Sequence, residues 1–319
     1  MSNRKVAVID IMPDLLLNGL QKIGYSIEYL PDINAEDYIK KADEFFGIII
    51  RSKFPLNKEV IDRSVNLKFI GRAGSGMETI DQNYAKSKGI ICVNAPEGNR
   101  DAVGEHTIGL LLGLLNKINI GDREVRKGRW VREKNRGTEL NGKTVGILGY
   151  GNMGSAFAKR LQGFNVNTIA YDKNKTGFSN ECITEVNLTK LFEQTDILSI
   201  HIPLDKDTNY LVNNDFINRF KKNIYLINTA RGKILNTKDL VLNLKSGKVL
   251  GAALDVLEFE DQTFEKLAIT GVTHTQWLKF LLESENVILS PHVAGITYQS
   301  WDKIGKVLLE KIASLKWTN

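Results

Sequence analysis

The chain has 319 residues, 42% of them hydrophobic and 25% charged, with a formal net charge of +6, which predicts two domains of ordinary globular composition. No apolar run is long enough to span a bilayer, no secretory signal opens the chain, and Cys92 and Cys182 have no metal-type spacing, so a reduced cytoplasmic compartment, no membrane and no metal are expected. The basic residues are scattered rather than gathered in a stripe, which argues against a nucleic-acid partner and leaves a few arginines for an anionic small molecule.

Strand-like runs at Val6–Asp10, Phe46–Arg51, Leu67–Arg72 and Ile90–Asn94 occupy the first part of the chain, enough for a small α/β domain. A helix is predicted over Glu105–Asn119. Leu110, Leu111, Leu112, Leu114, Leu115 and Ile118 cover most of its circumference, so it must be buried between domains or against another subunit, and a homodimer through 105–119 is expected. Further strand runs follow at Lys143–Leu148, Val166–Tyr171, Ile197–Ile202, Ile224–Asn228, Val249–Asp255 and Val287–Ser290. Between the last two, the long connection over 261–285 breaks the rhythm and is expected to hold a short helix. The final helix, Tyr298 to Leu315, has Trp301, Ile304, Leu308, Ile312 and Leu315 on one face and is predicted to pack on the first domain. Alternating strands and helices predict an α/β protein of two doubly wound parallel-sheet domains. The expected division is a smaller flavodoxin-like domain, 1–98 with 291–319, and a larger Rossmann-type domain, 99–290.

The most specific signal is Gly149-Tyr150-Gly151-Asn152-Met153-Gly154, between the strand Lys143–Leu148 and a helical stretch beginning at Ser155. The next strand ends at Asp172, 18 residues beyond Gly154. Strand, GxGxxG, helix, strand and acidic residue form a dinucleotide-binding fingerprint. Gly149 permits the tight turn, Gly151 lets backbone approach the pyrophosphate, and Gly154 lets helix and strand pack closely. Asn152 and Met153 open the helix, whose N-terminus offers N–H groups to phosphates. Asp172 is suited to accept hydrogen bonds from the ribose hydroxyls and to repel a 2′-phosphate, which favours NAD over NADP.

Hydride transfer to a 2-keto acid needs a cation for the carboxylate, an acid/base for the hydroxyl proton, and a group that orients that acid/base. The strand ends beyond the fingerprint supply candidates in Thr229-Ala230-Arg231-Gly232, in Asp255 to Glu260, and in Ser290-Pro291-His292. His106, His201 and His274 lack such a context and read as structural or surface residues, with His201, at a strand end, placed to line the cofactor site with Pro203.

With these motifs in order, the chain resembles the D-isomer-specific 2-hydroxyacid dehydrogenase family over nearly its whole length. The resemblance is strongest in Gly71-Arg72-Ala73-Gly74-Ser75-Gly76, Gly137 to Thr144, the fingerprint, Thr229 to Gly232, Ala252 to Val256 and Pro291-His292. Within the family the likeness is greatest to the 3-phosphoglycerate dehydrogenases, in a short form without their C-terminal regulatory domain, which implies no feedback by serine through such a domain. The resemblance implies that Arg231 grips the carboxylate and keto oxygen, that His292 exchanges the proton, and that Glu260 bonds the other ring nitrogen. It implies NAD contacts from Thr229 and Ala230, and from Asp255 to the nicotinamide carboxamide, although Asp255 is equally placed to cap a turn. Arg51 and Arg72 match positions that bind the anionic substrate, and Arg132 and Lys134 are placed to add charge. Backbone amides near Ser75 and Gly76 are expected to cradle a carboxylate.

Glu258 competes with Glu260. Both share a side of an extended segment, and only the motif register favours Glu260. The chain departs from the family pattern at Met77-Glu78-Thr79-Ile80-Asp81 and at Asp261, where a proline usually follows the glutamate. These departures bear on substrate and loop shape. The leading expectation is oxidation of 3-phosphoglycerate to 3-phosphohydroxypyruvate or the reverse. Reduction of unphosphorylated acids such as hydroxypyruvate or glyoxylate is the second, and an NAD-sensing corepressor-like scaffold the third.

Overall fold

The computed structural model describes residues 4–261, 267 and 272–317. The chain divides into two compact units, 1–100 with 262–265 and 296–319, and 101–261 with 266–295. Among the described residues no helix is long and apolar enough to cross a membrane.

The first unit holds a five-stranded sheet built from β1 (Lys5–Val8), β2 (Ser26–Tyr29), β3 (Gly47–Ile50), β4 (Phe69–Arg72) and β5 (Ile91–Asn94). The order is β2-β1-β3-β4-β5, and every pairing is parallel. Its inner strands read as apolar runs because both faces are covered. β3 is buried at all of its four positions. β2, an edge strand of Ser-Ile-Glu-Tyr, is not anticipated from the sequence because it is only four residues long, half of them polar, and has no fully buried residue. One face packs on the final helix, Tyr298–Ala313, through Leu308 and Ile312, which meet Val6, Val8, Leu16 and Ile49.

The second unit holds β6 (Thr144–Leu148), β7 (Asn167–Tyr171), β8 (Thr184–Glu185), β9 (Ile197–Ile200), β10 (Ile224–Asn228), β11 (Val249–Leu254) and β12 (Val287–Leu289). Their order is β12-β11-β10-β9-β6-β7-β8, again all parallel. From β6 the chain winds outward through β7 and β8, then returns to the other flank at β9. The carboxyl ends of β6 and β9 therefore form the switch point at which open α/β sheets place ligands. The helix Val272–Glu283 falls within the long connection; residues 262–266 and 268–271 of that connection lie outside the described residues.

The helix predicted over Glu105–Asn119 is instead Pro96–Leu115, followed by a break and a second helix, Ile118–Arg126. Proline suits the first turn of a helix, since its missing N–H would have no partner there. The break comes at Lys117, whose φ of 53° is left-handed. Leu110, Leu111, Leu114 and Leu115 are all buried in the second unit's own core, against Val145, Ile147, Phe157 and Ile288. These four leucines are thus accounted for inside the second unit, whereas Ile118, the last of the six apolar residues, is 56% exposed.

Candidate active site

The glycine turn begins at the end of β6. Gly149 has φ 96°, and a Cβ there would lie 2.6 Å from the His201 carbonyl oxygen. A Cβ on Gly154 would overlap the Gly149 carbonyl oxygen, so the helix Asn152–Leu161 can approach the strand only with glycine there. At Gly151 a Cβ would meet nothing within 4 Å. The chain itself closes against two of the three glycines and leaves open space at the middle one, where a ligand's phosphates need room. Asn152 and Met153 form the first turn of that helix and leave its leading amides unused by the helix.

Asp172, just past β7, is tied to this turn. Its Oδ2 accepts the Tyr150 N–H at 2.7 Å, and its Oδ1 accepts those of Asn174 at 2.9 Å and Lys175 at 3.0 Å. At the end of β9, His201 does not present its ring to the turn. The imidazole is buried against Phe157 with centroids 5.5 Å apart, and its Nε2 lies 2.8 Å from Ser199 Oγ. Burial pushes its pKa down to about 3, so the ring is neutral. Its carbonyl lies against Gly149, so at the glycine turn this residue is represented by its main chain. Pro203 follows two residues on, and its carbonyl accepts the Thr208 hydroxyl at 2.7 Å.

At the end of β10, Asn228 is fully buried and shapes the next turn. Its Oδ1 accepts the Ala230 N–H at 3.0 Å, and its Nδ2 donates to the Arg231 carbonyl at 2.9 Å. Thr229 is buried with its hydroxyl 3.2 Å from that of Thr107. Arg231 Nη1 donates to the Ala230 carbonyl at 2.6 Å. A Cβ on Gly232 would overlap the Leu257 main chain, so this glycine lets the Arg231 turn lie directly on the segment that follows β11.

That segment carries both competing glutamates, and the geometry separates them. Glu258 Oε2 accepts the Thr237 N–H at 3.5 Å. Glu258 also faces Tyr210, whose hydroxyl is pushed above its ordinary range by burial first and then by the nearby carboxylate. Glu260 faces the other way. Its Oε1 accepts the Leu257 N–H at 2.5 Å, and its Oε2 lies 2.6 Å from His292 Nδ1. A carboxylate oxygen accepts, so Nδ1 carries the proton in this contact. Two of the side-chain motifs thus meet as a histidine–carboxylate pair, with Arg231 in the turn that follows β10, the strand next to β11.

Asp255 is 1% exposed, and its carboxylate accepts Ser290 Oγ at 2.5 Å, the Val293 N–H at 3.0 Å and the Ala294 N–H at 2.9 Å. Of its two expected roles, the cap of the turn after β12 is present. Burial pushes its carboxyl up, but hydrogen bonds from His106, Ser290, Ala294 and Val293 outweigh that and hold it below the usual range. Asn228, Ser290 and His106 were not among the expected site residues. Asn228 and Ser290 signal themselves only as polar residues at a strand end, too common to select them, and His106 only as a lone histidine within a helix.

In the first unit, Arg51 follows β3 and Arg72 ends β4. The Arg51 N–H donates to Asp10 Oδ2 at 2.6 Å, which joins the carboxyl ends of β1 and β3 at that sheet's own switch point, and its guanidinium lies 5.8 Å over the Trp301 ring. Arg72 Nη1 donates to the Ala73 carbonyl at 3.3 Å, with the guanidinium folded into space that a Cβ on Gly74 would fill. Ser75 Oγ donates to Asn99 Oδ1 at 2.6 Å, and the Ser75 carbonyl accepts Asn94 Nδ2 at 2.6 Å, so this turn before Gly76 is held by two asparagines. In the second unit Lys134 is engaged by Glu285 at 2.6 Å and Glu124 at 3.4 Å.

Residues 108–294 match the family model for the NAD-binding domain of D-isomer specific 2-hydroxyacid dehydrogenases. The chain is 33% identical over 313 residues to D-3-phosphoglycerate dehydrogenase of Archaeoglobus fulgidus, covering 98% of this chain but 57% of that protein. It thus spans little more than half of that relative's length. It is also 33% identical over 297 residues to hydroxypyruvate reductase of Thermotoga maritima, covering 93% of this chain and 92% of that one. The structure of D-lactate dehydrogenase from Aquifex aeolicus, complexed with NAD and lactic acid, matches with a TM-score of 0.81 at 26% identity, covering 97% of this chain and 94% of that one.

Proposed function

The chain belongs to the D-isomer specific 2-hydroxyacid dehydrogenase family, and from that premise we propose that it is an NAD-dependent oxidoreductase that interconverts a short D-2-hydroxy acid and its 2-keto acid, with 3-phosphoglycerate and 3-phosphohydroxypyruvate as the pair. The observation that carries the catalytic part is the His292–Glu260 contact of 2.6 Å. In the reducing direction His292 Nε2 gives its proton to the keto oxygen, and Glu260 stabilises the imidazolium before that transfer and orients the ring after it. Arg231 holds the substrate carboxylate and polarises the keto group. NAD, held at Gly149, Gly151, Asn152, Met153, Gly154 and Asp172 with Thr229 and Ala230 further along the sheet, supplies the hydride acceptor or donor.

The phosphorylated substrate is favoured by Arg51 and Arg72, two guanidinium groups at strand ends of the first unit, because bidentate donors suit a phosphate. In that reading the enzyme serves serine biosynthesis in the cytoplasm. The second reading, reduction of hydroxypyruvate or glyoxylate, is favoured by the folded position of Arg72 against its own Ala73–Gly74 turn. NADH oxidation against a panel of phosphorylated and plain 2-keto acids decides between them. Phosphohydroxypyruvate should give the highest kcat/KM, and Arg51→Ala should impair it by roughly 1.5–3 kcal/mol while hardly affecting hydroxypyruvate. Equal losses on both substrates would make the plain-acid reading lead. No turnover of any 2-keto acid would leave the corepressor-like scaffold.

We also propose a homodimer. Since the leucines of Pro96–Leu115 lie in the core, its surface would come from exposed apolar residues that follow: Ile118, Val125, Val131 and Trp130, the last 78% exposed. Light scattering of the wild type at micromolar concentration should give twice the chain mass, and Trp130→Ser with Val125→Asp should lower it. A monomeric wild type would end the proposal.

A further inference from the structure

His292 has a φ of 54°, a left-handed conformation that few non-glycine residues adopt, although histidine is enriched in it with asparagine and aspartate. One residue holds the turn in that shape. The Asp255 carbonyl accepts the His292 N–H at 2.7 Å, while its carboxylate accepts the next two N–H groups, those of Val293 and Ala294. The same carboxylate takes the single hydroxyl proton of Ser290 at 2.5 Å. Ser290 Oγ can then only accept from His106, whose Nε2 lies 3.0 Å away, so His106 is the Nε2–H tautomer and donates. The same nitrogen is 3.5 Å from Asp255 Oδ1. His106 belongs to the helix Pro96–Leu115, so the chain His106–Ser290–Asp255 ties the His292 turn to an element remote from it in sequence.

We propose that His106 is a positioning residue for His292, acting through Ser290 and Asp255 to hold the left-handed turn that aims the His292 ring. The proposal rests on the reading of His292 as the proton-exchanging group. His106 and Ser290 donate in series, so the first bond strengthens the second, Ser290 Oγ–H to Asp255, and that bond fixes in place the carboxylate that accepts the Val293 and Ala294 amides. Removing the His106 donor loosens the serine hydroxyl and with it the carboxylate that enforces an unfavourable backbone.

His106→Phe removes the donor while filling the volume. Where chemistry limits turnover, kcat for reduction of the best keto acid should fall roughly 10–100-fold, the loss typical when the support behind a catalytic group is removed. KM for NADH should stay unchanged, because the glycine turn is untouched. His106→Gln, which keeps an N–H donor at similar reach, should restore most of the rate. Amide hydrogen exchange at Val293 and Ala294 should quicken in the Phe variant and not in the Gln variant. Ser290→Ala tests the same link without touching the helix, and its loss should not add to that of His106→Phe. A normal kcat in His106→Phe despite quickened exchange would make the chain merely structural and overturn the proposal. So would additive losses, or no rescue by glutamine. Failure of the underlying reading shows separately, as near-normal turnover in His292→Ala with His106 intact.

Discussion

On the β6–β7 flank of the seven-stranded sheet the turn is made by what is missing. Gly149 and Gly154 leave no room for a Cβ, Gly151 leaves room for something else, and the groups offered to a ligand are main-chain amides. On the β10–β11–β12 flank the turns are made by what is present. Asn228 shapes the Arg231 turn, Asp255 shapes the His292 turn, and Glu260 sets the His292 ring. A diphosphate needs several donors of fixed direction, which backbone supplies without any side chain. A proton transfer needs one nitrogen of the correct tautomer, which only a braced side chain supplies. β9 lies between the flanks and carries the contrasting case, a histidine whose ring is sealed in the core.

Removing the two histidines should therefore have opposite outcomes. His292→Ala should lower kcat by roughly 10²–10⁴, the usual contribution of general acid–base catalysis, with NADH binding nearly unchanged. His201→Gln should leave kcat within a few-fold of the wild type. Stopped-flow measurement of the chemical step checks both, and near-normal kcat in His292→Ala would erase the distinction between the flanks.

His201 should instead control stability. Its folded pKa is pushed down to about 3 by burial, against an unfolded value near 6.5. Between those values the unfolded chain binds a proton that the folded chain refuses, so stability is complete above about pH 6.5 and falls as the pH drops toward 3. At pH 5 the loss from this group is about 2 kcal/mol. Urea unfolding of wild type and His201→Gln at pH 7 and pH 5 should show the wild type losing that much more. Parallel curves would mean the ring is protonated or accessible in the folded state.

The backbone flank was legible in the sequence and the side-chain flank only in part, for a physical reason. A turn that forbids Cβ atoms must write glycines at fixed spacing, so residues 149–154 and Asp172 are visible before any fold is known. A braced side chain depends on neighbours that the fold brings together. Nothing local links His106 to Ser290, or separates Glu258 from Glu260, or tells whether the His201 ring faces a ligand or Phe157. Asp255 reads from the sequence as a cofactor contact or as a cap, and the cap becomes visible only once the fold brings Val293 and Ala294 to its carboxylate. The same logic governs the elements. Apolar inner strands were legible, while β2 and β8, short edge strands with little buried surface, were not. The helix Pro96–Leu115 was anchored on its leucines, so its polar first turns went unseen.

The smallest expected effect tests the backbone flank alone. Both Asp172 oxygens are fixed by main-chain amides of Tyr150, Asn174 and Lys175, which holds the carboxylate in one place beside the glycine turn. A charge held that way can accept from ribose hydroxyls and cannot swing aside for a 2′-phosphate. Lys173 is already paired with Asp207 at 3.2 Å, and Lys175 Nζ lies 5.2 Å over the Tyr150 ring. NADH should therefore be preferred over NADPH by at least about tenfold in kcat/KM, or about 1.4 kcal/mol. Asp172→Asn keeps an acceptor for the Tyr150 N–H and removes the charge, so it should shrink the ratio mainly by improving NADPH. Equal kcat/KM for the two cofactors in the wild type would mean that the anchored carboxylate only caps its own turn.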